Sequence, residues 1–387
     1  MPGEIISTRN MLERLVAFDT TSRESNLALI GFVQDYLDGH GIASTLIHNE
    51  TGTKANLYAT IGPQGAPDGI VLSGHSDVVP VDGQDWRSDP FILRAEGGRL
   101  YGRGTADMKG FIASALALVP EFTAGIGRTP LHLAFSYDEE VGCLGVHSMV
   151  RHIAESLPRP KAVIVGEPTL MRVVNSHKGI RTYTTEIIGH ETHSSTPHLG
   201  VNAIDVAVRL INFLHAMQKD MQARGDASGR FDPPWTSIHV GVIDGGTALN
   251  IVPRRCRFQW EIRPLPGQDP DEIFARFHAF ATHEVLPAMR AISPQCTISI
   301  RQRADVPPLA PQNGSPAEAL VTALRGDNAP LAVSYTTEAG IFQEAGIAAV
   351  LCGPGSIDQA HKPDEFVAQA ELDACDGFLR QLLAAIA

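Results

Sequence analysis

Cysteine is scarce in this chain of 387 residues, and the little there is shows no pairing pattern. Cys143, Cys256, Cys296, Cys352 and Cys375 are odd in number and widely scattered, with no CxxC pair among them. That argues against a disulfide framework and against a thiolate zinc site, and makes a reducing cytoplasm the expected location. Long hydrophobic runs are missing too: no stretch reaches the roughly 18 apolar residues a membrane helix needs. The opening Met1-Pro-Gly-Glu-Ile-Ile-Ser lacks a basic segment followed by an apolar one, so no signal peptide is expected. Basic charge is in deficit: 31 Lys plus Arg against 43 Asp plus Glu give −12 with neutral histidines. Nucleic acid and anionic membranes both require a basic footprint, so neither is an expected partner. Internal repeats and low-complexity tracts are absent as well.

What the chain does have is 43% hydrophobic residues, ample for ordinary cores, and fifteen histidines, several of them beside carboxylates. Its length suggests two or three domains. Thr8 to Gly39 reads as a helical opening, and Ala43 to His48 and Asn56 to Ile61 alternate like strands. Gly69 to Gly74, Pro130 to Ser136 and Ala162 to Gly166 are short continuous apolar runs, the signature of strands buried on both faces of a mainly parallel sheet. Helical patterns at Phe111 to Leu118 and Leu144 to Ser156 separate them, which predicts a three-layer αβα domain. Near Gly179 the character changes. Strand patterns at Thr182 to Ile188, Thr236 to Val242, Arg255 to Ile262 and Thr297 to Arg303 alternate with helices at Asn202 to Met217 and Pro270 to Val285. That is a βαββαβ order, fitting four antiparallel strands under two helices, with Gly225 to Pro234 as a loop. After Pro307-Pro308 the first pattern resumes, with a helix at Ser315 to Leu324, a buried strand at Ala345 to Cys352 and a closing helix at Leu372 to Ile386. The expected organisation is a catalytic α/β domain, 1–179 and 305–387, interrupted by an inserted α+β domain, 180–304.

Each buried-strand candidate of the catalytic domain runs into metal-type ligands. His75 and Asp77 follow the first, Asp138, Glu139 and Glu140 the second, Glu167 the third, and a loop to His361 the last. In open αβ sheets ligands bind outside the carboxyl ends of the strands, so the topology would gather these residues. The Gly-rich turn Tyr101 to Gly110 delivers Asp107 to a strand-to-helix junction; taken alone it could equally be a helix cap. Imidazole and carboxylate without thiolate suit zinc, cobalt or manganese. Two histidines and three carboxylates exceed what one open zinc site uses, and suit two ions about 3.5–4 Å apart with a bridging carboxylate. Adjacent Glu139 and Glu140 would point apart, one to metal and one to water, although an Asp-Glu-Glu cluster can also be a solvated acidic turn. Asp77 could accept the second N–H of His75 and fix its tautomer; the plainer reading is a capping aspartate.

Five ordered segments, Gly74-His-Ser-Asp-Val-Val-Pro80, Gly102 to Gly110, Asp138-Glu-Glu140, Gly166-Glu-Pro-Thr169 and His361-Lys-Pro-Asp-Glu365, carry a resemblance over essentially the whole chain. They resemble those of the di-zinc amidohydrolase family of acetylornithine deacetylases, succinyl-diaminopimelate desuccinylases, aminoacylases and glutamate carboxypeptidases. The resemblance implies that His75, Asp107 and Glu167 hold one ion and Asp107, Glu140 and His361 the other. It implies Glu139 as general base acting on a metal-bridging water, and Asp77 as the residue that orients His75. In the inserted, lid-like domain His193 would stabilise the oxyanion, often across a homodimer interface, and Asn250 and Arg263 would contact the substrate carboxylate. Thr337-Glu-Ala339 and Gly353 to His361 look most like the acetylornithine-deacetylating branch, where Glu338 could meet a substrate ammonium. The implied activity is hydrolysis of the N-acetyl amide of N2-acetyl-L-ornithine. Sister specificities (desuccinylase, aminoacylase, dipeptidase) and an inactive ligand-binding relative are the alternatives.

Overall fold

The computed structural model describes residues 4–387, and the chain divides into two compact units. One comprises the chain up to Ser176, then Leu309–Ala332 and Thr337–Ala387; the other comprises His177–Pro308 and Val333–Thr336.

The first unit is built on an eight-stranded sheet in the order Ser44–His48, Ala55–Ile61, Leu131–Ser136, Ile70–His75, Ala162–Val165, Ala349–Leu351, Val174–His177 and Leu331–Val333. Its centre is parallel: Ile70–His75 lies between Leu131–Ser136 and Ala162–Val165, and Ala349–Leu351 pairs with the latter. Ala55–Ile61, Ser44–His48 and Val174–His177 join antiparallel. Every residue of the four parallel strands is buried, as continuous apolar runs covered on both faces require. Helices Thr8–Val16, Gly110–Ala117 and Gln369–Ile386 contribute Met11, Leu15, Phe111, Leu116 and Leu379 to one core with Leu72, Leu133 and Ile164. Each such side chain contributes about 1.5–3 kcal/mol by leaving water. Because these strands run parallel, the segments following His75, Ser136, Val165 and Leu351 all leave the same edge of the sheet.

The second unit is the expected βαββαβ, with the four-stranded antiparallel sheet ordered Ser237–Gly245, Arg255–Arg263, Ile180–Ile188, Thr297–Val306. Along Arg255–Arg263, Cys256, Phe258, Trp260 and Ile262 are buried while Arg255, Arg257 and Gln259 are exposed, the alternation of a sheet covered on one side. Helix Ala203–Arg224 starts where the Asn202 side chain accepts the N–H groups of Ile204 and Asp205.

Some elements differ from expectation. The opening is two helices, Thr8–Val16 and Leu27–Gly39, because Thr20, Thr21 and Ser22 between them are buried in hydrogen-bonded loop. The last buried strand is only Ala349–Leu351; Ala345 caps helix Ala339–Glu344. All five cysteines are buried and free. Among the described residues no helix is long and apolar enough to cross a membrane. Residues 1–3 of the opening segment lie outside the description.

Candidate metal centre

The edge where the parallel strands end gathers the ligand-type residues. His75 closes its strand and is 1% exposed; its Nε2 lies 2.9 Å from Asp107 Oδ1 and 3.9 Å from Glu167 Oε1. His361 Nε2 lies 3.3 Å from Asp107 Oδ2 and 3.0 Å from Glu140 Oε2. Two groups of donors result, His75–Asp107–Glu167 and Asp107–Glu140–His361, the donor atoms within each lying within 4.8 Å of one another. Asp107 belongs to both, one oxygen facing each histidine.

The turn that presents Asp107 is shaped by glycine. Gly104 sits at φ +81°, and a Cβ there would come within 2.7 Å of Val78. The chain then makes an irregular turn, Thr105–Lys109, before helix Gly110–Ala117, with Asp107 at φ −124°, ψ 91° and a cis Asp107–Met108 peptide. Gly166, just before Glu167, packs on the Phe111 ring, where a Cβ would fall 1.9 Å away. Lys109 is buried with its Nζ donating to Phe18 O, and burial pulls its pKa down to about 7.

Do these residues suit a metal? His75 Nδ1 lies 2.9 Å from the Asp77 carbonyl, which can only accept, so in the neutral ring Nε2 is left with its lone pair. Glu140 Oε1 is buried with no hydrogen-bond partner. Four acidic side chains, Asp107, Glu139, Glu140 and Glu167, share the site with two imidazoles. Burial pushes the Glu139 and Glu167 carboxyls well above the usual range, with neighbouring carboxylates adding to it. Burial and Asp107 push Glu140 up to about 7. Burial would raise Asp107 as well, but hydrogen bonds with His361 and His75 hold it below the usual range. His361 rises to about 10 on its hydrogen bonds to Asp107 and Glu140; His75, despite its burial, also rises through Asp107. An acid-rich, thiolate-free donor set of this kind answers to divalent cations.

A model of peptidase family M20/M25/M40 matches residues 71–385. The chain belongs to that family. Acetylornithine deacetylase of Myxococcus xanthus is 35% identical over 99% of this chain and 98% of its own length; that of Pasteurella multocida is 32% identical over 98% of each. An M20 metallo-carboxypeptidase from Sulfolobus solfataricus superposes with a TM-score of 0.78 at 18% identity, covering 98% of both chains. Human carnosine dipeptidase 1 does so at 0.71 and 16%, over 98% of this chain and 95% of its own. As a member of the M20 family the chain is a metal-dependent amidohydrolase, an α/β enzyme as its sequence patterns predict.

Around the two donor groups the structure adds detail that no motif contains. The Asp77 carboxylate is not the main partner of His75: its Oδ1 is 3.7 Å from Nδ1, which bonds instead to the Asp77 carbonyl. The carboxylate accepts the backbone N–H of Glu139 at 3.1 Å and of Glu140 at 3.3 Å, and the hydroxyl of Ser22 at 2.6 Å. Asp77 thereby holds the Glu139-Glu140 turn, a use of the residue that motif reading did not reach. Lys54 fixes the same turn from the other side, Nζ donating to Asp138 Oδ1 and Ser22 O. Cys143 Sγ lies 3.3 Å from Glu139 Oε1.

Glu338, expected to meet a substrate ammonium, stands against the central strands. It is 1% exposed, bonded by the hydroxyls of Ser73 and Ser136 on the central strands, and burial lifts its carboxyl to about 7. So enclosed, the carboxylate is engaged by Ser73 and Ser136. A buried strand residue such as Ser73 or Ser136 signals nothing of this in the sequence.

The remaining expected residues lie in the second unit. His193 is exposed; the backbone N–H of Ser195 donates to its Nδ1 at 3.1 Å, which makes Nδ1 an acceptor and leaves Nε2–H as donor in the neutral ring. His193 pairs with Ile251 in an isolated bridge, and Ser194 N–H donates to Asn250 O at 3.0 Å, so the His193 and Asn250 segments are brought together. Arg263 is paired with Glu261, its Nε 2.8 Å from Oε1.

Proposed function

We propose that the chain hydrolyses the N-acetyl amide of N2-acetyl-L-ornithine to L-ornithine and acetate. The observation that carries the reading is the pair of donor groups sharing Asp107, with the half-buried Glu139 beside them. The acetylornithine deacetylases at 32–35% identity over nearly the full length support the substrate. His75, Asp107 and Glu167 would hold one divalent cation and Asp107, Glu140 and His361 a second, zinc by preference, with cobalt or manganese compatible. Bound there, the ions would lower the pKa of water towards about 7 and polarise the acyl carbonyl.

Glu139 takes a proton from the attacking water as its oxygen bonds to the acyl carbon. Glu139 then passes that proton to the amine nitrogen as the C–N bond breaks. Asp77, through the backbone N–H groups of Glu139 and Glu140, keeps base and ligand in place. His193, with the proton on Nε2, donates to the developing oxyanion. Asn250 and Arg263 take the substrate carboxylate, Arg263 exchanging Glu261 for it. The second unit acts as lid and as dimer interface. Its outer strand Ser237–Gly245 is a sheet edge carrying exposed Val242 and Ile243, which supports a homodimer. The enzyme works in the cytoplasm, in keeping with its unpaired cysteines.

The test is a panel of N-acyl amino acids compared by kcat/KM, N2-acetyl-L-ornithine first, before and after chelator dialysis and zinc or cobalt add-back. Preference for an N-succinyl or dipeptide substrate would overturn the specificity, and activity indifferent to the chelator would overturn the metal reading.

A further inference from the structure

Glu365 closes the segment His361 to Glu365 but touches no donor atom of the two groups. It is 1% exposed, and each of its acceptors is used on the Asp107 turn or on Arg103. Oε1 accepts the backbone N–H of Ala106 at 2.9 Å and of Asp107 at 3.2 Å; the Glu365 carbonyl accepts the N–H of Gly102 at 3.0 Å. Oε2 takes Nη1 of Arg103 at 2.7 Å, in an ion pair whose two side chains are each 1% exposed. From there the network reaches His361. Arg103 Nη1 reaches Lys362 O at 3.3 Å and Nη2 bonds Gln84 Oε1, while Gln84 Nε2 donates to the carbonyl of His361 itself at 2.9 Å. Trp86 steadies Gln84 through a 3.0 Å bond from its indole N–H and lies under the Arg103 guanidinium, 5.0 Å away.

The segment needs such a hold. His361 sits at φ +64° and Asp364 at φ +52°, left-handed backbone that non-glycine residues leave unless their surroundings fix it. Asp107 has non-helical dihedrals within its turn, and its own N–H is satisfied by Glu365. The two ligands are far apart in sequence, and one buried ion pair fastens the backbone of both.

We propose that Glu365 and Arg103 are positioning residues for the metal centre, setting the Asp107 turn and the His361 loop against each other, with Gln84 as the arm that reaches His361. The proposal rests on the metal reading above. An ion pair that served folding alone would change stability when broken and leave metal affinity untouched.

Zinc affinity, measured by competition with a chromophoric chelator on the full chain, separates the cases, with circular dichroism reporting the fold. In Glu365→Ala both ions are expected to weaken about 10–100-fold, the usual loss when a group that orients a ligand is removed. Glu365→Gln keeps an oxygen for the Ala106 and Asp107 N–H groups and is expected to recover most of the loss. Gln84→Ala, at a half-buried position that does not threaten folding, is expected to weaken one ion of the two. Wild-type zinc affinity in a folded Glu365→Ala would overturn the proposal. Should that variant not fold, wild-type affinity for both ions in Gln84→Ala would do so. Wild-type protein that holds no zinc would overturn the metal reading instead, so the two failures cannot be confused.

Discussion

Apart from the exposed His361, the ligand-type residues of the first unit are buried or half-buried, whereas His193 and Asn250 of the second are exposed. In the first, His75, Asp107 and Glu167 are 1%, 6% and 3% exposed, and each stands where a buried parallel strand ends or where a glycine-shaped turn meets a helix. In the second, His193 and Asn250 are exposed and tied to each other by backbone bonds between two loops. Charge buried among fixed dipoles is expensive to misplace, so the first arrangement suits groups that must hold cations and move a proton. Loops on a sheet edge can adapt at small cost, which suits groups that meet a substrate arriving from solvent.

Replacing residues in each unit tests that contrast, and the largest effect is expected at Asp107. Asp107→Ala should release both ions together, seen as loss of metal after gel filtration, with turnover falling beyond the roughly 10⁴-fold that loss of a general base can cause. His75→Ala or His361→Ala should release one ion each; equal loss in all three variants would argue against a shared carboxylate. Next comes Glu139→Ala, for which unchanged metal content and a kcat lower by about 10²–10⁴-fold are expected. More than a few per cent of residual turnover would move the base elsewhere. In the second unit His193→Ala should lower kcat by about 10²–10³-fold and leave metal content alone. If it also shed metal, the division of labour between the units would be wrong.

The smallest effect concerns acid stability. Burial holds His132 and His177 down to about 4. Once unfolded, each imidazole takes a proton below about 6.5. Between these values the unfolded chain binds more protons, so stability is complete above about 6.5 and drains as the pH falls through 4. Each histidine accounts for up to about 3 kcal/mol of that loss. His132 Nδ1 meets the hydroxyls of Tyr58 and Thr60 at 2.7 and 2.9 Å, and its Nε2 is buried without a partner, so nothing compensates a second proton. Urea unfolding of His132→Gln at pH 7 and pH 5 should give a smaller difference between the two than wild type does.

The same contrast explains what was legible in the sequence. Continuous apolar runs such as Gly69 to Gly74 announce fully buried strands, and alternation along Arg255 to Ile262 announces a half-covered sheet, so the α/β class and the βαββαβ order could be read directly. Ligand types at the ends of those runs fell together because parallel strands share one exit edge. Strands of three or four residues are too short to show a period: Val174–His177 and the small sheet of Arg94–Glu96, Arg99–Tyr101 and Phe366–Ala368 carry no such signal. Glu365 was inside a recognised segment, yet an acid that bonds backbone N–H groups looks like any other acid in a string of letters. Glu338 and Asp77 make the same point, since which atom a carboxylate meets depends on a fold several elements away.

The peptide between Glu139 and Glu140 has a mechanical consequence. Adjacent Cα atoms across a trans peptide are about 3.8 Å apart whatever the rest of a protein does. With both N–H groups anchored on the carboxylate of Asp77, the backbone of the proposed proton carrier and that of the proposed ligand are held at one spacing. Drift of the surrounding loops can shift the two Cα atoms as a unit without altering their spacing of about 3.8 Å.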